Sequence, residues 1–300
     1  GGLSVLLAYA NQYMKPFNDI SSVVTEMQNA LACADRIFDL LEQKEETLDA
    51  EGAFATVDGN VTIDDVAFSY DKEKELIENF NLDVKPGMRI AIVGPTGCGK
   101  TTFINLLMRF FEPTGGSITI DGVDTKDMTR ENVHRKFGMV LQDTWLFEGT
   151  VFENIAYGKE NATLEEVKAV AKAAHVADFI EKLPDGYDTL ITDGGVNLSK
   201  GQKQLMTIAR AMLSSAHLLI LDEATSNVDT RTEMHIDHGM ERLMKNRTTF
   251  VIAHRLSTVR NADCIMVLEQ GEIIERGTHE ELLAKRGRYY QLYTGAVELD

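Results

Sequence analysis

The amino-acid sequence predicts an α/β protein whose core is a parallel sheet. Two short apolar runs read as buried strands that end in polar or glycine-rich residues, namely residues 88–93 (MRIAIV) and residues 218–222 (LLILD). The first run is followed by apolar residues at helical spacing: Phe103, Leu106, Leu107 and Phe110. A buried strand that leads through a loop into a helix is the repeating unit of parallel sheets, so this pattern predicts the α/β class.

Composition and charge indicate a globular protein that is a poor candidate for binding nucleic acid. The chain has 300 residues, of which 44% are hydrophobic and 26% charged, enough for one large α/β domain or two smaller ones. Its 30 Lys and Arg against 47 Asp and Glu give a net charge of −17, a poor match to DNA or RNA. Nucleotides remain candidate ligands, because backbone N–H groups in a loop bind phosphate locally. The three cysteines form no CxxC pair, which fits a reducing compartment.

The opening segment predicts one long helix. Apolar residues recur at three- and four-residue spacing over residues 3–41, with Pro16 as the only strong breaker. No run approaches the ~20 apolar residues that cross a bilayer. Because the sequence opens inside an apolar run, two interpretations stay open. The segment is either an ordinary amphipathic helix packed on its own domain or the cytoplasmic end of a membrane helix. The polar stretch that follows, to residue 59, predicts a linker.

The segment before the first buried run predicts β structure. Residues 61–63 and 66–68 are rich in β-formers, residues 71–75 suggest an exposed hairpin turn, and Leu82 and Val84 suggest a second strand. At the other end of the chain, residues 280–292 predict a final helix.

A phosphate-binding loop follows the strand at residues 88–93. Residues 94–101 (GPTGCGKT) match the pattern G-x-x-x-x-G-K-[ST]. Glycine lets the backbone curl so that N–H groups point at phosphate oxygens. Lys100 can reach the β- and γ-phosphates, and the Thr101 hydroxyl can ligate Mg²⁺. We expect these residues to bind the nucleotide: Gly94, Pro95, Thr96, Gly97, Cys98, Gly99, Lys100, Thr101 and Thr102. Because Cys98 lies in the loop, we also expect thiol reagents to inhibit and ATP to protect.

Two carboxylates end the second buried strand. Asp222 and Glu223 follow four consecutive apolar residues, and such a strand end lies beside the phosphate-binding loop in a parallel sheet. Asp222 suits Mg²⁺, through water, and Glu223 suits polarisation of an attacking water.

With these motifs, the chain resembles the nucleotide-binding domain of an ATP-binding cassette (ABC) transporter. Residues 198–202 (LSKGQ) stand in the place of the family signature LSGGQ, about 20 residues before Asp222. Tyr70 resembles the aromatic residue that stacks on adenine, and Gln142 resembles the glutamine of the Q-loop. Residues 226–229 resemble the D-loop, and His254 resembles the switch histidine. The motifs occur in the family's order over residues 61–277.

The resemblance implies a fold and a set of site residues. The fold is a RecA-like P-loop core with an antiparallel β subdomain near residues 58–92 and a helical subdomain inserted at about residues 143–205, preceded by the long helix. ATP and Mg²⁺ are the implied cofactors. The implied catalytic residues are Glu223, His254, Gln142 and Lys100, and the implied Mg²⁺ ligands are Thr101, Gln142 and Asp222. The remaining nucleotide contacts are Tyr70, Ser199, Lys200, Gly201, Gln202 and Asp229.

The resemblance also implies partners and a location. In the family, the signature of one subunit covers ATP bound to the P-loop of another, so we expect a second ABC subunit. The run at residues 147–151 (FEGTV) is similar to the exporter branch, in which the last membrane helix continues into the ATPase domain. We therefore expect residues 1–50 to be the end of that helix and a linker, and residues 51–300 to be the ATPase domain. The domain would lie at the cytoplasmic face of the cell membrane and contact coupling helices of the membrane domain, with Asp193 where the family usually has Glu.

Two departures from the family pattern bear on the second subunit. Lys200 replaces the usual Gly of the signature, and Asn227-Val228 replace Ala-Leu in the D-loop, while Glu223 and His254 are intact. This combination resembles one half of heterodimeric bacterial multidrug exporters, so we expect a partner of different sequence. The competing interpretation is a homodimer that tolerates Lys200.

Several alternatives remain at this point. A soluble, non-transport ABC ATPase usually lacks the opening helix, a P-loop kinase would lack the signature and Gln142, and a pure ATP-binding interaction module would not need Glu223. A homodimeric lipid or peptide exporter also fits. The transported substrate is not encoded in these residues, and drugs are favoured only by resemblance.

Overall fold

The computed structural model describes residues 2–43, 45–49, 58–70, 76–141, 143–192, 198–222, 229–253 and 259–295. The chain forms two compact units, residues 1–48 and residues 49–300.

The smaller unit contains helix α1 (Gly2–Leu41), which runs through Pro16 without a break. The predicted helix over residues 3–41 is therefore confirmed. Proline removes one backbone hydrogen bond inside a helix, but a helix this long keeps the bonds on either side. Within the described residues, no helix is both long enough and apolar enough to cross a membrane.

A six-stranded sheet forms the centre of the larger unit, with strand order β12-β11-β3-β10-β9-β6. All neighbours pair in parallel except β12, which pairs antiparallel with β11. Both strands predicted from apolar runs, β3 and β9, lie inside this sheet, as their continuous burial requires. The strands are β3 (Arg89–Val93), β6 (Phe137–Val140), β9 (Leu218–Asp222), β10 (Thr248–Ile252), β11 (Cys264–Glu269) and β12 (Glu272–Gly277).

A second, antiparallel sheet has the order β2-β1-β4-β5. It differs from the expected subdomain near residues 58–92, because β3 belongs to the parallel sheet and β4 and β5 come from farther along the chain. Strand β1 pairs with β2 on one side and with β4 on the other, where Val61 faces Ile120. The hairpin turn predicted at residues 71–75 lies outside the described residues. The strands are β1 (Val61–Phe68), β2 (Ile77–Val84), β4 (Gly115–Ile120) and β5 (Val123–Asp124).

Two of the described helices of the larger unit have 14 and 15 residues, the others are shorter, and several begin with a reciprocal cap. Thr150, Thr163, Ser199 and Thr278 each start a helix with a capping box, which satisfies backbone N–H groups at the helix start. Two further strands, β7 (Gly149–Thr150) and β8 (Leu190–Ile191), pair antiparallel with each other. The helices are α2 (Lys100–Leu107), α3 (Arg130–Lys136), α4 (Val151–Ala156), α5 (Leu164–Ala173), α6 (Ala177–Ile180), α7 (Lys200–Leu213), α8 (Thr230–Met244), α9 (His279–Lys285) and α10 (Arg288–Tyr293).

The predicted final helix over residues 280–292 is two helices, α9 and α10. Arg286 has a φ of 51°, in the left-handed region, and Gly287 follows it. A left-handed residue ends a helix because it turns the chain away from the helical path.

The core lies on both faces of the parallel sheet. Alternate residues of β3 point to opposite sides, so Ile90 and Ile92 join one buried cluster while Ala91 and Val93 join the other. The first cluster includes the antiparallel sheet and α2, and the second includes α4, α5, α7 and α8. Because both faces of the parallel sheet are covered, the carboxyl ends of its strands are the place where a functional site can be open to solvent.

Candidate active site

A cleft of about 290 Å³ lies at the carboxyl edge of the parallel sheet. The phosphate-binding loop leaves β3 at this edge, and Asp222 ends β9 there. Strand β10 lies between them, with Ile252 paired to both Ile92 and Asp222. The sheet therefore brings Lys100 and Asp222 together from distant parts of the sequence. The cleft is lined by Leu76, Thr96, Gly97, Gly99, Lys100, Thr101, Thr102, Asp222 and Ile252.

Two glycines allow the loop to take its curled path. A Cβ atom at Gly94 would lie 2.2 Å from the Leu268 carbonyl oxygen, closer than any side chain can approach. Gly99 has a φ of 107° and immediately precedes α2, and no side chain among the described residues caps that helix. Residues 100–102 form this helix start and line the cleft, and a helix start favours anions such as phosphate.

The ammonium group of Lys100 lies across the loop. Its Nζ donates to the carbonyl oxygen of Gly94 at 2.6 Å and to that of Pro95 at 3.1 Å. Both acceptors belong to the loop itself, so the ammonium is held at the phosphate-binding segment before any ligand arrives. Exchange of these carbonyls for phosphate oxygens would need only a small movement of a flexible side chain.

Cys98 does not point into the cleft. Its side chain is only 3% exposed and belongs to the buried cluster that contains Phe103. Its backbone N–H donates to the Pro95 carbonyl at 3.2 Å. Burial raises the pKa of the thiol, although the nearby charge of Lys100 opposes the shift. This burial favours a slow reaction of Cys98 with thiol reagents, and the expected inhibition and its protection by ATP stay predictions.

Asp222 and Thr101 supply hard oxygen donors to the cleft. A carboxylate and a hydroxyl are ligands that Mg²⁺ prefers, and Mg²⁺ in triphosphatases is completed by phosphate oxygens and water. Among the described residues, no group of three His, Cys, Asp or Glu could hold a metal by itself. The carboxylate of Asp222 and the hydroxyl of Thr101 thus fit a Mg²⁺ ion that arrives with a nucleotide.

Tyr70 lies beside the cleft, at the end of the first strand of the antiparallel sheet. Its hydroxyl donates to Oγ1 of Thr102 at 3.3 Å, and its side chain is 54% exposed. The ring is thus exposed next to a cleft-lining residue, and its role in stacking on adenine stays a prediction.

The signature residues begin helix α7. Ser199 Oγ accepts from the Gln202 N–H at 3.2 Å, and Gln202 Oε1 accepts from the Ser199 N–H at 2.9 Å. Lys200 is exposed on the first turn, whereas Gly201 is buried. None of these residues lines the described cleft, so the structure does not bring them to this chain's own P-loop.

Asp229 also lies away from the described cleft, as the cap of helix α8. Its Oδ1 accepts from the Thr232 N–H at 3.0 Å. The hydrogen bonds from Thr232 lower the pKa of the Asp229 carboxyl, so it is ionised at neutral pH. The structure thus shows Asp229 as a helix cap, and its contact with a nucleotide stays a prediction.

Three predicted catalytic residues lie outside the described residues: Gln142, Glu223 and His254. Asp193 and the D-loop positions 226–228 lie outside them as well. In sequence, the three catalytic candidates follow the strands β6, β9 and β10, which end at Val140, Asp222 and Ile252.

Sequence reasoning missed three contributors to the site. Leu76 and Ile252 line the cleft, and Gly271, between β11 and β12, donates its N–H to the Cys98 carbonyl at 2.9 Å. Gly271 between two strand patterns is a turn signal that could have located this loop. Its contact with the P-loop is not a local property of the sequence.

The glycine-rich loop between β3 and α2, with a carboxylate at a nearby strand end, defines a P-loop nucleoside triphosphatase. Residues 77–226 match the ABC transporter family. The chain therefore belongs to this family and contains its ATPase domain. The fold is accordingly the expected P-loop core with an antiparallel sheet and helical elements.

Similar proteins include membrane transporters. The chain is 48% identical over 292 residues to a fatty acid ABC transporter ATP-binding/permease protein of Mycobacterium bovis, covering 97% of the chain and 46% of that protein. It is 49% identical over 280 residues to an ATP-dependent lipid A-core flippase of Desulfotalea psychrophila, covering 93% of the chain and 49% of the flippase. The chain thus spans about half the length of these relatives.

A solved structure shares the fold. A bacterial Atm1-family ABC exporter with ATP bound superposes with a TM-score of 0.79 at 40% identity, covering 96% of the chain and 51% of the exporter.

Proposed function

We propose that this chain is the ATP-hydrolysing part of a membrane exporter, which uses ATP-driven closure of two cassettes to move an amphipathic substrate. The observation that carries the proposal is the cleft in which the P-loop, Lys100, Thr101 and Asp222 meet. The similarity to exporters over nearly the whole chain supports the transport role.

The residues of this chain would divide the work of phosphoryl transfer. The N–H groups of the P-loop and the first turn of α2 bind the phosphates, and Lys100 neutralises charge on the γ-phosphate. Thr101 and Asp222 hold Mg²⁺, and Gln142 completes this set. The metal ion supplies further charge neutralisation when it is bound. Glu223 orients the attacking water, and His254 donates a hydrogen bond toward the γ-phosphate.

A second cassette would complete the site. Ser199, Lys200, Gly201 and Gln202 at the start of α7 would cover ATP held by the partner, and the partner's signature would cover ATP held here. This arrangement makes ATP the bond between two cassettes, and hydrolysis separates them. Lys200 favours a partner of different sequence. In two identical copies this long cation would lie beside phosphate at both sites, whereas a different partner leaves only one site changed. The native mass of the intact complex decides between this heterodimer and two copies of the chain.

We propose the following division of the chain. Residues 1–50 are the cytoplasmic end of the last membrane helix and a linker, and residues 51–300 are the ATPase domain. Residues 143–205 form the helical subdomain that contacts the coupling helices at the cytoplasmic face of the membrane.

The names of the relatives support a substrate class. Their names specify fatty acid and lipid A-core, so an amphipathic lipid is the favoured substrate here. Drugs, the expectation from the signature departure, have no such support.

Transport by the complete protein in proteoliposomes tests the proposal. We expect ATP-dependent movement of a fluorescent fatty-acyl lipid, and ATPase activity that the lipid stimulates. Absence of ATP binding by the purified protein would overturn the ATPase assignment. ATP hydrolysis that neither moves nor responds to amphipathic lipids would overturn the substrate class.

A further inference from the structure

Three aromatic side chains meet beside the cleft. The ring of Tyr70 is perpendicular to that of Phe68, with centroids 4.8 Å apart and an interplanar angle of 86°. It is also perpendicular to the ring of Phe111, at 5.0 Å and 90°. Phe68 and Phe111 contact each other at 5.7 Å, so the three rings form a closed set. Edge-to-face contacts of this kind have a preferred geometry and therefore restrict the orientation of each ring.

The Tyr70 side chain is thus held at three points. Two are the neighbouring rings, and the third is the hydrogen bond from its hydroxyl to Thr102, which lines the cleft. More than half of the side chain is nevertheless exposed. An exposed aromatic ring whose orientation is already restricted can stack on a planar base without losing further freedom on binding.

The backbone on either side of the two phenylalanines is held by Arg109. This buried side chain donates to Glu112 Oε1 at 3.0 Å and to the Met128 carbonyl. The chain turns sharply here, because Arg109 has a φ of 57°. The preceding residue, Phe110, faces elsewhere and packs on His134 at 5.0 Å. The two adjacent phenylalanines therefore contact different side chains, although they are similarly exposed: Phe110 is 50% exposed and Phe111 is 43% exposed.

From this geometry we infer that Phe111 is a positioning residue for the nucleotide base: it holds the ring of Tyr70 in the orientation that stacks on adenine. The inference rests on the proposed ATP-binding function. Phe68 shares the contact but is buried in the core, so its removal would leave a cavity. Phe111 is half-exposed, so its removal tests orientation with little loss of packing.

The test compares a ligand that has a base with one that lacks it. Calorimetric Kd values for ATP and for inorganic tripolyphosphate, both with Mg²⁺, are measured for the 300-residue chain. We expect Phe111→Ala to weaken ATP binding by about 3- to 10-fold, the factor that corresponds to one aromatic pair. Tripolyphosphate binding should stay within about 2-fold, because the phosphate contacts lie on the P-loop. Phe111→Tyr, which keeps the ring, should restore ATP binding.

Phe110→Ala is the matched control and should leave both Kd values unchanged. If Phe111→Ala does not fold, Phe111→Leu retains apolar bulk without the ring and should give the same loss for ATP alone. Equal weakening of ATP and tripolyphosphate would overturn the inference, since it would indicate a general disturbance. An unchanged Kd for ATP would overturn it too. Failure of the wild-type chain to bind either ligand would instead contradict the proposed function.

Discussion

The N–H of Gly271 donates to the carbonyl of Cys98 at 2.9 Å, which ties the turn between β11 and β12 to the P-loop. Gly271 has a φ of 86°, and a Cβ atom there would lie 1.4 Å from the Leu76 carbonyl oxygen. Since Leu76 lines the cleft, this glycine is packed between the phosphate-binding loop and a cleft wall.

We therefore expect Gly271→Ala to disturb both stability and nucleotide binding. Backbone strain and the clash should lower the free energy of unfolding by about 2–3 kcal/mol, and displacement of the loop should raise the Kd for ATP. Thermal unfolding and ATP calorimetry measure the two effects. Gly87→Ala is the control, because Gly87 has a φ of 79° but no atom of the described residues within 4 Å of a Cβ there. That variant should lose about 1 kcal/mol and bind ATP normally. Equal losses of stability and of ATP affinity in the two variants would contradict the role of Gly271 in holding the P-loop in place.

Glu223→Gln should separate binding from hydrolysis. If Glu223 orients the attacking water as proposed, loss of its carboxylate should lower the hydrolysis rate by about 100-fold or more. ATP binding should persist, because the P-loop and Lys100 are unchanged, and the complete protein should accumulate as a closed dimer with ATP. Single-turnover hydrolysis and size-exclusion chromatography with ATP check both outcomes. Hydrolysis at the wild-type rate would remove Glu223 from the catalytic set.

The three thiols should differ in reactivity. Cys33 is exposed, whereas Cys98 and Cys264 are buried. A timed reaction with a chromogenic disulfide should label one thiol quickly, and Cys33→Ser should abolish that fast phase. The buried thiols should react only at the rate of local opening, since burial also raises the pKa of Cys98. Labelling of Cys98 as fast as Cys33 in the folded protein would show that its side chain reaches solvent.

Alkaline pH should destabilise the carboxyl-terminal helices through Tyr289. Burial raises the pKa of Tyr289 from its ordinary 10.0 to about 12, so the unfolded chain loses this proton at a lower pH than the folded chain. The contribution to stability is complete below pH 10 and is lost as the pH rises from 10 to about 12.

Urea unfolding at several pH values between 8 and 11.5 checks this prediction. Tyr289→Phe should reduce the alkaline loss, although at neutral pH it removes the hydrogen bond between the Tyr289 hydroxyl and Nδ1 of His279, at 2.7 Å. Tyr290→Phe, at an exposed neighbouring position, is the control and should keep the alkaline loss. If the Tyr289 variant loses stability as steeply as wild type, another group is responsible.

The local chemistry of the site was predictable from short stretches of sequence. A P-loop needs glycines, a lysine and a threonine at fixed spacing between a strand and a helix, so residues 94–101 alone predict phosphate binding. The strand that ends at Asp222 was predictable for a similar reason, because a short apolar run that ends in polar residues is typical of a strand buried on both faces. The helix starts at Thr150, Thr163 and Ser199 likewise follow from capping boxes within four residues.

Contacts between distant segments were not predictable in this way. The burial of Cys98, the pairing of β1 with β4, the support of Tyr70 by Phe111 and the contact of Gly271 with the P-loop each join residues far apart in the chain. No local pattern encodes them, because they depend on how the two sheets and α2 pack around one core. Motifs therefore show what chemistry the chain can perform, whereas packing determines which side chains reach the cleft, which are buried, and how firmly the binding groups are held.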